Sequence, residues 1–160
     1  MSINTKIRKL FCENKSPEVF YRFAKEDNGF LANWGSTDEK EYAHLGKMNK
    51  FSFNDSDRIF KFRTNTDPLA SEGLYNKIAT RKEEDIRDKL LDSEYVDFED
   101  LFIDAVVAKR IKSHGYDGVV FEFTNSGKKY AMDIRNHADN VDKVYKGFMT
   151  LDPNFLGTLR

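Results

Sequence analysis

Cysteine is nearly absent: Cys12 is the only one among 160 residues, which excludes an internal disulfide and suits a reducing compartment. Proline is scarce, and Pro17, Pro68 and Pro153 punctuate the chain instead of forming a linker. No internal repeat or low-complexity segment is present. No apolar run reaches the roughly eighteen residues that a membrane-spanning helix needs, and the first residues lack the apolar stretch of an export signal. The expectation is a cytoplasmic protein without membrane association. His44, His114 and His137 lie far apart and fit no HExxH or CxxC pattern, so no metal site is expected. Glycines form neither GxGxxG nor GxxxxGKS/T, and there is no GxSxG elbow. The common nucleotide-dependent classes are thereby disfavoured, while folds that bind NAD without a glycine fingerprint stay open. Charge of one sign is missing as well: the formal net charge is −1, so no global field draws in nucleic acid or an anionic membrane.

What the chain does have is core material. It is 39% hydrophobic and contains 14 Phe and 7 Tyr, enough for a single domain over 1–160 with one core. A short N-terminal helix is expected within 1–16, followed by a core of about 17–151. Charge is uneven along the chain. Glu83 to Asp104 holds ten acidic and two basic residues, and Lys6 to Lys15 holds four basic and one acidic. An acidic stretch of this kind is a solvated helix face or a docking surface for a basic partner.

Periodicity and punctuation suggest strands, then helices, then a hairpin. Val19–Phe23 reads as a first strand and Gly29–Ala32 approaches a second. Ser36-Thr37-Asp38 is a helix N-cap signal ahead of a short helix through Leu45, which Gly46 ends. Asn49–Phe53 and Arg58–Arg63 alternate as half-buried strands do. Asp67-Pro68 opens two helical segments reaching about Leu91, and a further helix runs from about Phe98 to Ser113. A last strand or extended arm is expected within Val144–Leu151. The order implies an α+β domain.

The most informative run is Gly115-Tyr116-Asp117-Gly118-Val119-Val120-Phe121-Glu122-Phe123. Gly115 can end the preceding helix at positive φ, Asp117-Gly118 is a turn dipeptide, and a buried strand follows. Val119, Phe121 and Phe123 should share one face, leaving Val120 and Glu122 on the other. A glutamate in that setting is either an edge-strand residue facing water or a functional group. Asn125-Ser126-Gly127 then makes a hairpin turn, and Lys129–Ile134 returns as its partner strand.

Three pieces make a set: Tyr21-Arg22 on the first strand, Trp34-Gly35-Ser36-Thr37 before the 38–45 segment, and Gly115–Phe123 with its returning strand. Here the chain resembles the ADP-ribosyltransferase superfamily, especially its small phage and mobile-element branch with a GYDG motif ahead of a late strand. The resemblance spans about residues 19–134 and implies a split β-sheet with packed helices. It also implies NAD as substrate, bound by Arg22, Ser36, Thr37 and Tyr42, with Glu122 as the catalytic carboxylate. Each residue has a plain structural role beside the implied one. The Arg22 stem can cover apolar surface, Ser36 or Thr37 can be a cap, and Tyr42 can pack in the core. Asp117 reads as a local turn acceptor.

Many members of that superfamily begin the returning strand with the catalytic glutamate, where this chain has Lys129. Two functions therefore follow from the resemblance. One is an NAD-dependent ADP-ribosyltransferase that modifies a host protein, with a nucleic-acid acceptor also open, acting as a phage-encoded anti-defence effector. The alternative is a catalytically inactive domain of the same fold that inhibits a host protein by direct interaction.

Overall fold

The computed structural model describes residues 18–24, 33–65, 70–135 and 138–159. The expected N-terminal helix and the Gly29–Ala32 segment lie outside them. Six strands of the described residues pair into one mixed sheet: β1 (Phe20–Ala24), β2 (Asn33–Ser36), β3 (Lys47–Phe51), β4 (Ile59–Thr64), β5 (Gly118–Phe123) and β6 (Lys129–Asp133). Their spatial order is β3-β1-β2-β6-β5-β4. β4 and β5 run parallel, while every other pairing is antiparallel. Among the described residues five α-helices accompany them: α1 (Ala70–Ile78), α2 (Arg81–Leu91), α3 (Glu99–Ser113), α4 (Ala138–Thr150) and α5 (Pro153–Thr158). The fold is thus mixed α+β. None of the described helices is long and apolar enough to cross a membrane.

β5 forms where the Gly115–Phe123 run predicts it. Gly115 takes φ +87° beyond the end of α3. Asp117 then accepts from the Arg58 amide at 2.8 Å, the local role expected of a turn aspartate. Val119, Phe121 and Phe123 are buried, whereas Val120 and Glu122 on the opposite face are partly exposed. The edge-strand alternative for Glu122 is corrected, because β5 is hydrogen-bonded on both sides, to β4 and to β6. Behind Phe121 lie Trp34, stacked at 5.5 Å, and Phe62, edge-on at 6.2 Å. Fully burying one such ring contributes about 1.5–3 kcal/mol.

The helices pack on this face of the sheet. α3 supplies Phe102, Ile103, Ala105, Val106, Val107, Ala108 and Ile111 to the core. α2 begins with a capping box between Thr80 and Glu83. The buried Glu83 carboxylate also accepts from Arg110 at 2.9 Å and Tyr145 at 3.1 Å, tying α2 to α3 and α4.

Two expectations are overturned. Val144–Leu151 is not a strand but the end of α4 and the residue after it, because Val141, Val144 and Phe148 are buried at helical spacing. The expected 38–45 helix is a series of turns ending in a single 3-10 turn, Ala43–Leu45. There the Ser36 hydroxyl accepts from the Asp38 amide and the Asp38 carboxylate accepts from the Lys40 amide. Such short-range side-chain acceptors compete with helical bonding.

On the other face, Phe20, Phe51 and Phe53 form an aromatic cluster over two glycines. A Cβ at Gly35 would stand 2.7 Å from both Phe20 Cβ and the Phe51 ring, and one at Gly118 would stand 2.6 Å from the Phe53 ring. Arg135 lies over Phe53 and pairs with Asp57 and Asp133.

Asp104 on α3 is the odd group in this core. The residue as a whole is only half-buried, yet its carboxyl is enclosed by protein, and that burial pushes it up to about 7. A hydrogen bond from Ser71 Oγ at 2.5 Å works in the opposite direction. So does the Trp34 indole, although its buried N–H meets no acceptor in good geometry.

Gly35→Ala is expected to cost about 1–3 kcal/mol through overpacking against Phe20 and Phe51, read as a lowered urea midpoint; an unchanged midpoint would refute this contact. For Asp104, the folded pKa lies above the ordinary carboxylate value. The native state therefore holds a proton that the unfolded chain has released, and stability falls as pH rises from about 4 to 7. Asp104→Asn should stabilise by about 2–4 kcal/mol at pH 8 and by little at pH 4. Thermal melts in which Asp104→Asn has the same effect at both pH values would show instead that the carboxyl is well solvated.

Candidate functional site

The end of β2 carries two neighbouring hydroxyls that alternation turns to opposite faces. Ser36 is opposite Tyr130, and Tyr130 is opposite Phe121, so Ser36 faces the helix layer. It is 1% exposed, and its hydroxyl reaches Glu41 Oε2 at 3.3 Å. Thr37 continues the ladder past β2. Its amide donates to the Lys129 carbonyl at 3.0 Å, and its Oγ1 accepts from the Lys129 amide at 3.2 Å. Both residues therefore support the local backbone, and Thr37 does so beside the Lys129–Glu122 register pair.

Around Ser36 stands a polar cluster absent from the sequence expectations. Tyr130 Oη donates to Glu41 Oε1 at 2.6 Å, and Lys128 Nζ lies 3.1 Å from Glu41 Oε2 and 3.7 Å from Asp38. Burial works to raise the Glu41 pKa, but the hydrogen bonds from Tyr130, Lys128 and Ser36, with the Lys128 charge, hold it below its ordinary value. The Tyr130 phenol is pushed up by burial and then by its bond to Glu41. Tyr42 borders the same group: burial and the Glu41 charge raise its phenol. At 39% exposure Tyr42 is not a core residue, so the packing alternative is corrected. The signal for this cluster lay in Glu41 following the Ser36-Thr37 pair, but the register that brings Tyr130 to it is not written locally.

Glu122 occupies the opposite face. Its carboxylate is 3.7 Å from Arg63 Nε, with the glutamate side chain 32% exposed and the arginine side chain 75% exposed. Across the ladder it faces Lys129, whose ammonium pairs with Glu18 at 3.2 Å. Arg22 lies on β1 opposite Asn49, half-buried, and makes no hydrogen bond or ion pair among the described residues. Alternation from the Tyr21–Ser36 pair turns it to the Glu122 face. Three strand spacings separate the two backbones, roughly 14 Å. Between them run the small residues Gly35 and Ala131, and the Phe51 ring lies over the first.

The structure therefore gathers Ser36 and Tyr42 around Glu41, sets Thr37 beside the Glu122 row, and leaves Arg22 and Glu122 sharing a face at a distance. A hollow opens at the far edge of the sheet. It has a volume of about 440 Å³ and is lined by Phe62, Arg63, Thr64, Asn65, Gly73, Lys77 and Thr124.

Comparison with models of known families, with characterised proteins and with solved structures finds no match to this chain.

Tyr130→Phe should weaken the hold on Glu41 and cost about 1.5–3 kcal/mol at neutral pH, the range for a hydrogen bond to a charged group. The sign of the pH dependence follows from the depressed pKa. Stability from Glu41 is present above its unfolded pKa and is lost as pH falls through the folded value. The difference between wild type and Tyr130→Phe in urea titrations should accordingly shrink in acid. A constant difference from pH 7 to pH 3 would mean that the charge on Glu41 is irrelevant to the tie.

Proposed function

We propose that this chain is an NAD-dependent ADP-ribosyltransferase acting on a host macromolecule, most simply a protein, as a phage-encoded effector would. One observation carries the proposal: the strands bearing Arg22, Ser36-Thr37 and Glu122 lie together in the order β1-β2-β6-β5, with only the hairpin partner β6 interposed. The single register pair joining β1 to β2 among the described residues, Tyr21–Ser36, is a seam of the kind a split sheet would have.

NAD would supply the ADP-ribosyl group, with nicotinamide as the leaving group. Arg22 suits a phosphate, because its planar guanidinium is not engaged by a carboxylate of the described residues. Thr37, beside the Glu122 row, would stand at the ribose, whereas Ser36 and Tyr42, gathered around Glu41 on the helix side of the sheet, would hold the turn that follows β2. Glu122 would stabilise the positive charge that develops on the ribose as the bond to nicotinamide breaks. It would also orient the acceptor whose nucleophile takes the place of nicotinamide on that carbon. Electrostatic stabilisation of this type is usually the largest catalytic contribution.

One specific observation favours the alternative, an inactive domain of this fold that binds and inhibits a host protein. Glu122 stands between Arg63 at 3.7 Å and Lys129 across the ladder. A carboxylate already balanced by cations has less charge to offer a reacting ribose.

Label transfer from NAD into a host lysate separates the two. Wild-type protein is expected to label a discrete component, and Glu122→Gln should lower the rate about 100-fold or more, as loss of a transition-state charge partner does. Absence of both NAD binding and transfer by the wild type would eliminate the enzyme and leave the inhibitor.

A further inference from the structure

Among the described strands β3 and β4 form the two margins of the sheet, and they differ in what they expose. On β4 only Lys61 and Arg63 are exposed, and Phe60 and Phe62 pack against the core. On β3 Lys47, Met48, Asn49 and Lys50 are all exposed, and Phe51 is half-buried. β3 pairs with β1 along its whole length, from Ala24–Lys47 to Phe20–Phe51, and with no other strand among the described residues. Nor do its residues make any other backbone hydrogen bond among them. The outer side of β3 is therefore a row of free N–H and C=O groups, the template that an added strand uses.

Two kinds of side chain flank that row. The Tyr21–Ser36 pair turns Tyr21, and with it Phe23, to the helix side of the sheet, where their partners on β3 are Lys50 and Met48. Tyr21, Phe23 and Met48 stand outside the core cluster and the residues packed against it. Met48, at 46%, and Leu45, at 45% and two residues before β3, are the most exposed large apolar side chains among the described residues. A margin guarded only against unwanted pairing would be polar throughout. This one keeps an apolar residue between Lys47 and Lys50, and neither lysine has an ion pair among the described residues.

We propose that β3 docks an extended acidic segment of a partner protein, which adds to the sheet as an outer strand. In the antiparallel sense, the commoner pairing, that segment sets a carboxylate opposite Lys50, an apolar side chain opposite Met48 and a second carboxylate opposite Lys47. Opposite charges facing each other across a ladder stabilise it, and like charges destabilise it. A second copy of this chain fits worse. In the symmetric register about Asn49 it brings two further lysines into the same short ladder and faces them with Phe51 and Met48, not with carboxylates. The surface does not rest on the transferase proposal and uses neither Thr37 nor Glu122.

The full chain is titrated with the end-blocked peptide Thr-Glu-Thr-Val-Glu-Thr, up to millimolar concentration, and followed by amide NMR and hydrogen exchange. Saturable shifts are expected at Met48, Asn49 and Lys50. Exchange should slow at alternate amides of β3, which contact through side chains alone would not produce. Peptide N-methylated at every second amide should lose binding in one frame and keep it in the other. Lys47→Glu with Lys50→Glu should weaken binding about 10-fold or more, since two exposed ion pairs give way to repulsion. The same variant should prefer the peptide in which lysine replaces both glutamates. Met48→Thr, which suits a strand, should weaken binding by up to about fivefold, the equivalent of one cross-strand pair. Absence of saturable shifts on β3, equal binding of the acidic and basic peptides, or binding kept in both N-methylated frames overturns the proposal. Concentration-dependent dimerisation that protects the β3 amides without peptide assigns the margin to a second copy and overturns it as well. Peptide binding at β3 without NAD transfer upholds it while the transferase assignment falls.

Discussion

Phe121 is held from three directions at once. Its ring stacks on Trp34 from β2, meets Phe62 of β4 edge-on, and lies within the apolar cluster that α3 and α4 bring over the sheet. Because β5 is paired on both sides, that one residue fixes the relative positions of β2, β4 and the helix layer. Alternation then dictates what the rest of the strand presents. With Val119, Phe121 and Phe123 committed to the core, Glu122 has only the opposite face available. The placement of the chain's most suggestive carboxylate is thus a consequence of aromatic packing, settled before any chemistry of the glutamate itself.

The same alternation divides the polar groups between two faces. Ser36, Glu41, Tyr130 and Lys128 make a closed hydrogen-bonded cluster on the helix side. Arg22, Glu122 and Arg63 stand on the other side, with looser engagement. Thr37 joins the two, its backbone and hydroxyl bonded to Lys129, the register partner of Glu122. The tightly satisfied cluster behaves as a fastening for the turn that follows β2. The looser groups retain capacity for an outside anion or a developing charge.

Local signals were legible in the sequence wherever the structure is local. The Gly115–Phe123 turn and strand, the Asn125–Gly127 hairpin and the helices through Leu91 and Ser113 could all be read from punctuation and period. Val144–Leu151 misled because its β-branched and aromatic residues resemble a strand when the window begins at Val144. Extending it back to Val141 exposes the helical spacing. The 38–45 turns misled for a different reason: an N-cap signal and an ST-turn use the same serine and aspartate, and only the acceptor geometry separates them. Arg22, Ser36, Thr37 and Glu122 could be placed on strands or their ends. Which of them share a face depended on registers between distant segments, and no local pattern encodes those.

Those distant registers also set the order in which the chain can assemble. β2 pairs Asn33 with Asp133, and β4 pairs Ile59 with Gly118, so neither finds its β6 or β5 neighbour until late in the sequence. On a ribosome the segment bearing Trp34 and Ser36 emerges well before β6 exists. Only the pairings of β1 can close early, with β2 through Tyr21–Ser36 and with β3 through the ladder from Phe20–Phe51 to Ala24–Lys47. Non-local pairing of this kind slows folding and leaves strand edges uncovered meanwhile. The nascent chain therefore carries an apolar, half-built sheet until its last third is synthesised, and its yield in a cell depends on what shields that edge during translation.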